Sequence, residues 1–280
     1  MIHFVGAGPG APDLITLRGA ELLKQADVCI YAGSLVNPVL LGLCREDCAI
    51  YNSAEMTLEE VLAVMEQAES KGKQTVRLHT GDPCLYGAIR EQMDALDSKG
   101  ISYAITPGVS SFCGAAAAAE AEYTLPGVSQ TVIITRMAGR TPVPEREGIA
   151  SLAAHGATMV IFLSASMLEG LQAALLQGAY TEQTPAALVY KATWPEERSS
   201  GALWENWRKR GKNTAFPRRP WSWSAVFWGR TMSAAASTPR ISPRSFGGRQ
   251  HDLGLCRLHP AGGGPGPAFG AAVRRKRDEN

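Results

Sequence analysis

The sequence predicts an α/β protein of two α/β domains with a ligand cleft between them. Three observations carry this. Short apolar, β-branched runs alternate with amphipathic helical segments, the pattern of a parallel sheet. The turns after the early strands are rich in Gly, Pro, Asp and Ser. At 280 residues and 45% apolar content, the chain can bury one large core or two ordinary ones.

Residues 2–5 (IHFV) read as a strand running into Gly6, and residues 17–25 as a helix with apolar positions at helical spacing, so the chain opens strand, loop, helix. Residues 28–31 (VCIY) are a second strand, 58–68 a helix, 75–78 (TVRL) a third strand, 88–96 a helix and 103–105 (YAI) a fourth strand. Ligands on parallel sheets sit beyond the carboxyl ends of the strands. Loops 6–13, 31–37, 81–87 and 107–112 all fall there, so four loops are expected to converge on one crevice. After a helical stretch at 115–121, residues 131–135 (TVIIT) and 158–163 (TMVIFL) read as strands, 168–176 as a helix and 186–190 (AALVY) as a strand. This divides the chain into an N-terminal α/β domain over 1–114, an incomplete C-terminal α/β domain over 115–198 and a tail over 199–280.

The net charge of +2 hides an asymmetry. From Gly201 onward there are 15 Lys/Arg and 4 Asp/Glu, against 13 and 22 before it. The body is acidic and the tail strongly basic, rich in Trp, Pro, Ser and Gly and without apolar periodicity. A basic tail suits nucleic acid or a membrane surface, but this one joins the body as a different composition altogether. The six cysteines show no CxxC pair and read as core thiols, so no bound metal is expected. The first residues lack the basic and apolar regions of a signal peptide, and no apolar run spans a bilayer, which predicts a cytoplasmic protein without membrane association.

Two motifs carry chemistry. Gly6-Ala7-Gly8-Pro9-Gly10 follows a strand and precedes a helix, where glycine lets backbone turn tightly and approach a ligand. Its spacing differs from the dinucleotide fingerprint, because Pro9 and Pro12 stiffen the loop and delay the helix. A nucleotide-binding oxidoreductase would also need an acidic residue about 20 positions on, after a strand. Asp27 lies near that distance but precedes its strand. The second motif, Thr80-Gly81-Asp82-Pro83-Cys84-Leu85-Tyr86-Gly87, sets a carboxylate at a strand end before a helix; Asp82 suits either a helix cap or a ligand hydroxyl.

These segments, VGAGPGAPDLITLRGAELL from Val5, DVCIYAGSLVNP from Asp27, TGDPCLYGA from Thr80, TPGVSSFCGAAAAAEAEYTLPGVSQTVIITRMAGRTPVP from Thr106 and TPAALVYKATWPEE ending at Glu197, resemble the tetrapyrrole methylase family. YAGSLV and LPGVSQTVIITRMAGRTPVPE favour the branch that methylates carbon 11 of precorrin-4 or cobalt-precorrin-4 in cobalamin biosynthesis, with a sibling acting at another ring carbon as the alternative. The resemblance implies a homodimer that binds S-adenosyl-L-methionine, the methyl donor, and a small-molecule tetrapyrrole in the cleft. By position, Pro9, Gly81, Asp82, Leu85, Ser110, Ser111, Leu163 and Ala187 line the cofactor pocket, and Tyr31, Ser34, Arg136 and Arg140 face the substrate. The ring carries many carboxylates, which guanidinium forks bind bidentately. No general base is named, since none of His3, His79 and His155 sits in a motif.

After Glu197 the resemblance stops, where the family continues with a helix and a final apolar strand. Trp has a single codon, TGG, so the tail can be read in another frame. Taken from the third base of each codon, Pro220-Trp221-Ser222-Trp223-Ser224 becomes an apolar residue, Val, an apolar residue and Val, and the residues up to Gly229 end in Leu-Gly. That reading supplies the missing strand. It predicts a one-base frameshift between about Glu197 and Gly201, and a tail that is aberrant, disordered and basic through codon composition rather than for nucleic acid.

Overall fold

The computed structural model describes residues 1–139, 141–162, 167–203 and 223–227. The chain divides into two compact units, Met1–Ser233 and Ala234–Asn280, and the second lies outside the described residues.

In the first sheet, residues of alternating parity along each strand feed different cores, as a period of two requires. Strands β1 (Ile2–Gly6), β2 (Val28–Tyr31), β3 (Ala49–Asn52), β4 (Thr75–His79) and β5 (Tyr103–Thr106) pair in parallel in the order β3-β2-β4-β1-β5. Ile2, Phe4, Val28 and Ile30 pack on helices α2 (Leu58–Ser70) and α3 (Ile89–Ser98) through Val61, Met65, Ile89 and Leu96. Val5, Cys29, Val76 and Leu78 face the other way, toward Leu23 of helix α1 (Leu17–Gln25) and Leu40 of the 3-10 helix Pro38–Leu43. Each large apolar side chain buried this way contributes about 1.5–3 kcal/mol. The helix starts are set locally. The Thr16 hydroxyl accepts from the Gly19 amide at α1, and Thr57 and Glu60 form a reciprocal capping box at α2. Sequence reading missed β3, an edge strand whose Ile50 and Tyr51 are exposed and whose alternation is weak.

Helix α4 (Ser111–Ala118) carries the chain from the first sheet to the second. It begins four residues before the helical stretch expected at 115–121, so the expected boundary between residues 114 and 115 falls inside a helix. An alanine run has no apolar period to show where a helix begins.

The second sheet is mixed. Strands β6 (Val132–Arg136) and β7 (Thr158–Phe162) are parallel, while β8 (Pro185–Tyr190), β9 (Arg198–Leu203) and β10 (Trp223–Phe227) join in the order β6-β7-β10-β8-β9 with antiparallel pairings. One face, with Met159, Ile161, Ala186 and Leu188, packs on helices α5 (Ile149–Ala153) and α6 (Leu168–Leu176) through Ile149, Ala153, Leu171 and Leu175. The other, with Val160, Phe162, Ala187 and Val189, packs on Ala115 of α4.

Two strands therefore fall in the tail that was expected to be disordered from residue 199. β10 lies between β7 and β8, with Ser224 opposite Phe162 and Trp223 opposite Tyr190. Ladder pairing is backbone chemistry, so a five-residue run with β-branched and aromatic content takes that place in spite of the surrounding Arg, Pro and Gly.

Candidate active site

Three loops meet backbone to backbone at the carboxyl ends of β1, β4 and β5. A Cβ on Gly6 would lie 2.5 Å from the Gly108 Cα and 2.6 Å from the Gly81 carbonyl oxygen, and one on Gly108 would lie 2.2 Å from that same oxygen. No side chain fits at either position. Gly8 and Gly81 exchange backbone hydrogen bonds of 3.3 and 2.9 Å, and both have positive φ, 81° and 61°, which glycine adopts without strain. Gly108 carries no role in the motif reading, although its need for glycine is as strict as that of Gly6.

Asp82 has a structural task. Its Oδ1 accepts from the Cys84 amide at 2.8 Å and its Oδ2 from the Gly108 amide at 2.9 Å. The carboxylate thus joins the loop after β4 to the loop after β5, rather than capping α3, whose N-cap residue is Ala88 in the left-handed region at φ 49°. Tyr86, at φ 56°, is also held there. Such backbone typically costs on the order of 1–3 kcal/mol per residue and clusters at functional sites. The Tyr86 ring reaches the second sheet, with its centroid 5.5 Å from that of Phe162.

The fourth loop joins through Asn37, which is buried and donates from Nδ2 to the Gly10 carbonyl at 2.8 Å. Tyr31 ends β2 and is partly buried, its carbonyl accepting from the Ser53 hydroxyl. Ser34 lies in the 3-10 helix Gly33–Leu35. Ser110 is 7% exposed at the N-cap of α4, and its hydroxyl makes no capping bond. The backbone of Ser110 and Ser111 lies within 3.5 Å of where a Gly81 Cβ would be. Leu85 donates its amide to the Asp82 carbonyl, and Ala187 is buried on β8 against Ala115 and Phe162. Leu163 and Arg140 lie outside the described residues.

Arg136 donates to the backbone of its own segment. Its Nη1 donates to the carbonyls of Met137 and Thr141 at 3.2 and 3.1 Å, and its Nη2 to that of Pro142 at 3.0 Å. The fork ties down its own segment, since it holds three backbone carbonyls and no ion pair to a carboxylate is found for it among the described residues.

A second contribution from the far side of the chain was missed. Thr193 Oγ1 accepts from the Ala11 amide at 2.9 Å, and Trp194 Nε1 donates to the Pro9 carbonyl at 3.1 Å. The indole lies where a Gly10 Cβ would be, at 2.1 Å from its Cδ1. Lys191 and Thr193 have positive φ, 47° and 68°, and Lys191 Nζ stands 4.8 Å over the indole. The segment after β8 thus clamps the glycine loop after β1. Residues K-A-T-W gave no local signal of this, since the glycine they require is distant in sequence.

His79, at the end of β4, is 3% exposed, and its Nε2 has no hydrogen-bond partner among the described residues. Burial first, and the Arg77 guanidinium second, push its pKa down to about 3, so it is neutral at ordinary pH. Arg77 is itself buried and donates to Gln92 Oε1 and the Ile30 carbonyl. Both sit on the α2/α3 side of the sheet rather than among the loops. Among the described residues no group of His, Cys, Asp or Glu is arranged to hold a metal ion, and no helix is long and apolar enough to cross a membrane.

Residues 1–203 match the family of Tetrapyrrole (Corrin/Porphyrin) Methylases, and the chain belongs to that family of methyltransferases. Among its relatives, the cobalt-precorrin-4 C(11)-methyltransferase of Methanocaldococcus jannaschii is 55% identical over 197 residues, 70% of this chain and 76% of that protein. The precorrin-4 C(11)-methyltransferase of Mycobacterium tuberculosis is 45% identical over 199 residues, 71% of this chain and 79% of that one. The crystal structure of a cobalt precorrin-4 methyltransferase, a cobalamin biosynthetic enzyme, superimposes with a TM-score of 0.77 at 42% identity, covering 81% of this chain and 94% of that one. The structural likeness therefore takes in more of the chain than the sequence likeness does.

Proposed function

We propose that this protein transfers a methyl group from S-adenosyl-L-methionine to carbon 11 of cobalt-precorrin-4 or precorrin-4, in cobalamin biosynthesis. The observation that carries the proposal is the backbone crossing of Gly6, Gly81 and Gly108, closed by Asp82 and clamped by Trp194, on a chain 55% identical to a carbon-11 enzyme. Among the relatives aligned by sequence, two named for the cobalt-bearing ring are 55% and 48% identical and those named for the cobalt-free ring 45% or less, while the superimposed cobalt precorrin-4 methyltransferase structure is 42% identical over a longer stretch. The cobalt-bearing ring is accordingly the first substrate to test.

The residues fit such a methyl donor. Gly6, Gly8 and Gly81 let the loops that would hold it pack backbone to backbone, Ser110 brings a buried hydroxyl that makes no capping bond, and Ala187 and Phe162 supply an apolar wall. Pro9, Leu85 and Ser111 border the same loops. S-adenosylmethionine supplies a methyl group already activated by its positive sulfonium. The chain's part is alignment and exclusion of water, and holding reacting atoms in line is worth roughly 7–11 kcal/mol of the barrier. Tyr31, Ser34, Arg136 and Arg140 are our candidates for the face that meets the ring carboxylates. We read the protein as a cytoplasmic homodimer; sedimentation of the purified chain checks the dimer. The reading is tested by calorimetric titration of S-adenosylhomocysteine: saturable micromolar binding supports it, and no heat at millimolar ligand overturns it.

The tail reading remains part of this proposal. The family match ends at residue 203, while β10 spans residues 223–227, which in the shifted frame read as an apolar residue, Val, two residues from Gly, Arg, Ser or Cys, and a further apolar residue. Resequencing the gene across codons 197–201 decides it; an intact frame in independent clones removes the frameshift.

A further inference from the structure

Tyr86 is half-exposed and yet tightly fixed. Its backbone and that of Ala88 are both left-handed, at φ 56° and 49°, a conformation that strains any residue with a side chain and lasts only where the surroundings impose it. The surroundings here do so from both sides. Before Tyr86, Asp82 holds the amides of Cys84 and Gly108, and Gly87 lies so close to Pro83 that a Cβ on it would meet the Pro83 carbonyl oxygen at 2.2 Å. After it, Gln92 Nε2 donates to the Ala88 carbonyl at 3.0 Å, and Gln92 Oε1 accepts from Nε of the buried Arg77 at 3.2 Å. Arg77 Nη1 donates in turn to the Ile30 carbonyl of β2 at 3.1 Å. A guanidinium in the middle of the first sheet thus fixes, through Gln92, the far end of the loop that carries Tyr86.

What these bonds hold in place is an aromatic ring between the two sheets. The Tyr86 and Phe162 centroids are 5.5 Å apart with the rings tilted by 56°. Phe162 ends β7, where it stands opposite Arg136 at the end of β6. It is 8% exposed, whereas Tyr86 is 48% exposed. Covering an aromatic ring is favourable, so a strained backbone that sets one against a neighbour and leaves half of it open is accounted for by a ligand that covers the rest.

We propose that Tyr86 is a substrate-binding residue, its open ring taking the apolar face of the tetrapyrrole with Phe162 as backing. The inference rests on the methyl-transfer reading above, which puts a broad, nearly flat ring with apolar faces and a carboxylate rim in this crevice. Aromatic side chains meet such faces offset or edge-on. The ring of Tyr86 serves there rather than its hydroxyl, because the ring is what the loop sets against Phe162. The methyl-donor site has no need of it, since its loops are closed backbone to backbone at Gly6, Gly81 and Gly108. Loss of the Tyr86 ring therefore separates the binding of the two ligands.

The test uses the purified full chain with uroporphyrin III, a stable planar tetrapyrrole carrying rim carboxylates, followed by quenching of its fluorescence; S-adenosylhomocysteine is titrated calorimetrically into the same proteins. Tyr86→Leu, which loses the ring, is expected to weaken porphyrin binding at least about tenfold and to keep S-adenosylhomocysteine affinity within about twofold. Tyr86→Phe, which keeps the ring, is expected to bind both as the wild type does. Unchanged porphyrin affinity in Tyr86→Leu, equal loss of both ligands, or no porphyrin binding by the wild type overturns the proposal; equal loss makes Tyr86 a strut between the sheets. A second measurement needs no variant. When the wild-type chain is treated with tetranitromethane, uroporphyrin is expected to slow nitration of Tyr86 at least about fivefold and to leave Tyr51, 37% exposed on β3, unaffected. Equal nitration of Tyr86 with and without porphyrin contradicts the contact. Protection of Tyr86 in a chain that does not bind S-adenosylhomocysteine would remove the methyl-donor reading and leave the Tyr86 contact standing.

Discussion

Trp194 and Pro9, 185 positions apart, are joined by a 3.1 Å hydrogen bond from the indole Nε1 to the Pro9 carbonyl, with the indole filling the space beside Gly10 that any side chain there would need. The second sheet reaches the glycine loop through this contact and through Thr193, so an element after β8 fixes the geometry of the loop after β1.

Replacing Gly10 with Ala drives a methyl group into the indole, because 2.1 Å is far inside van der Waals contact. Gly10→Ala is expected to weaken S-adenosylhomocysteine binding at least about tenfold, while Trp194→Phe, which loses one hydrogen bond worth about 0.5–1.5 kcal/mol, weakens it less. Calorimetry on both variants checks the order; equal affinity of Gly10→Ala and wild type would remove the clamp from the account.

Asp82 holds two amides from two loops. Asp82→Ala leaves the part-buried Gly108 amide without its partner, at a cost on the order of 1–3 kcal/mol, while water replaces the carboxylate at the exposed Cys84 amide, and Asp82→Asn keeps one acceptor. Urea midpoints are expected to fall in the order wild type, Asn, Ala, with ligand affinity following the same order.

Acid should destabilise the fold through His79. Its folded pKa of about 3 lies below the ordinary 6.5, so between those values the unfolded chain binds the proton and the folded chain does not. The stability it contributes is complete above pH 6.5 and is lost as pH falls toward 3, by at most about 1.4 kcal/mol per pH unit. His3, also lowered by burial, acts in the same direction. His79→Gln should flatten the dependence of the urea midpoint between pH 6.5 and 4; an unchanged slope would show that His79 does not carry it.

Strand β10 is required for the second sheet, since β8 and β9 meet β7 only through it. A chain ending at residue 203 is expected to lose cooperative unfolding and ligand binding, whereas one ending at residue 233 keeps affinity within about twofold. Thermal unfolding of the two truncations, side by side, makes the comparison.

Much of the first sheet was legible because its inner strands are buried apolar runs and its helices carry apolar residues at helical spacing. α1 runs over the expected residues 17–25, and β2 over 28–31. The convergence of loops was legible too, since parallel strands put their carboxyl ends together. β3 was not, being half exposed at an edge, and the start of α4 was hidden by its alanines. Contacts between distant segments escaped altogether: that Gly108 crosses Gly6 and that Trp194 needs Gly10 are relations which spacing and periodicity do not encode.

The most direct test of the account is methyl transfer itself. Purified chain, cobalt-precorrin-4 and S-adenosylmethionine carrying a carbon-13 methyl group are incubated without oxygen, and the product is read by NMR. The account predicts one new labelled methyl on carbon 11 with stoichiometric S-adenosylhomocysteine. A label on another ring carbon, or an unchanged substrate from a chain that binds S-adenosylhomocysteine, would contradict it.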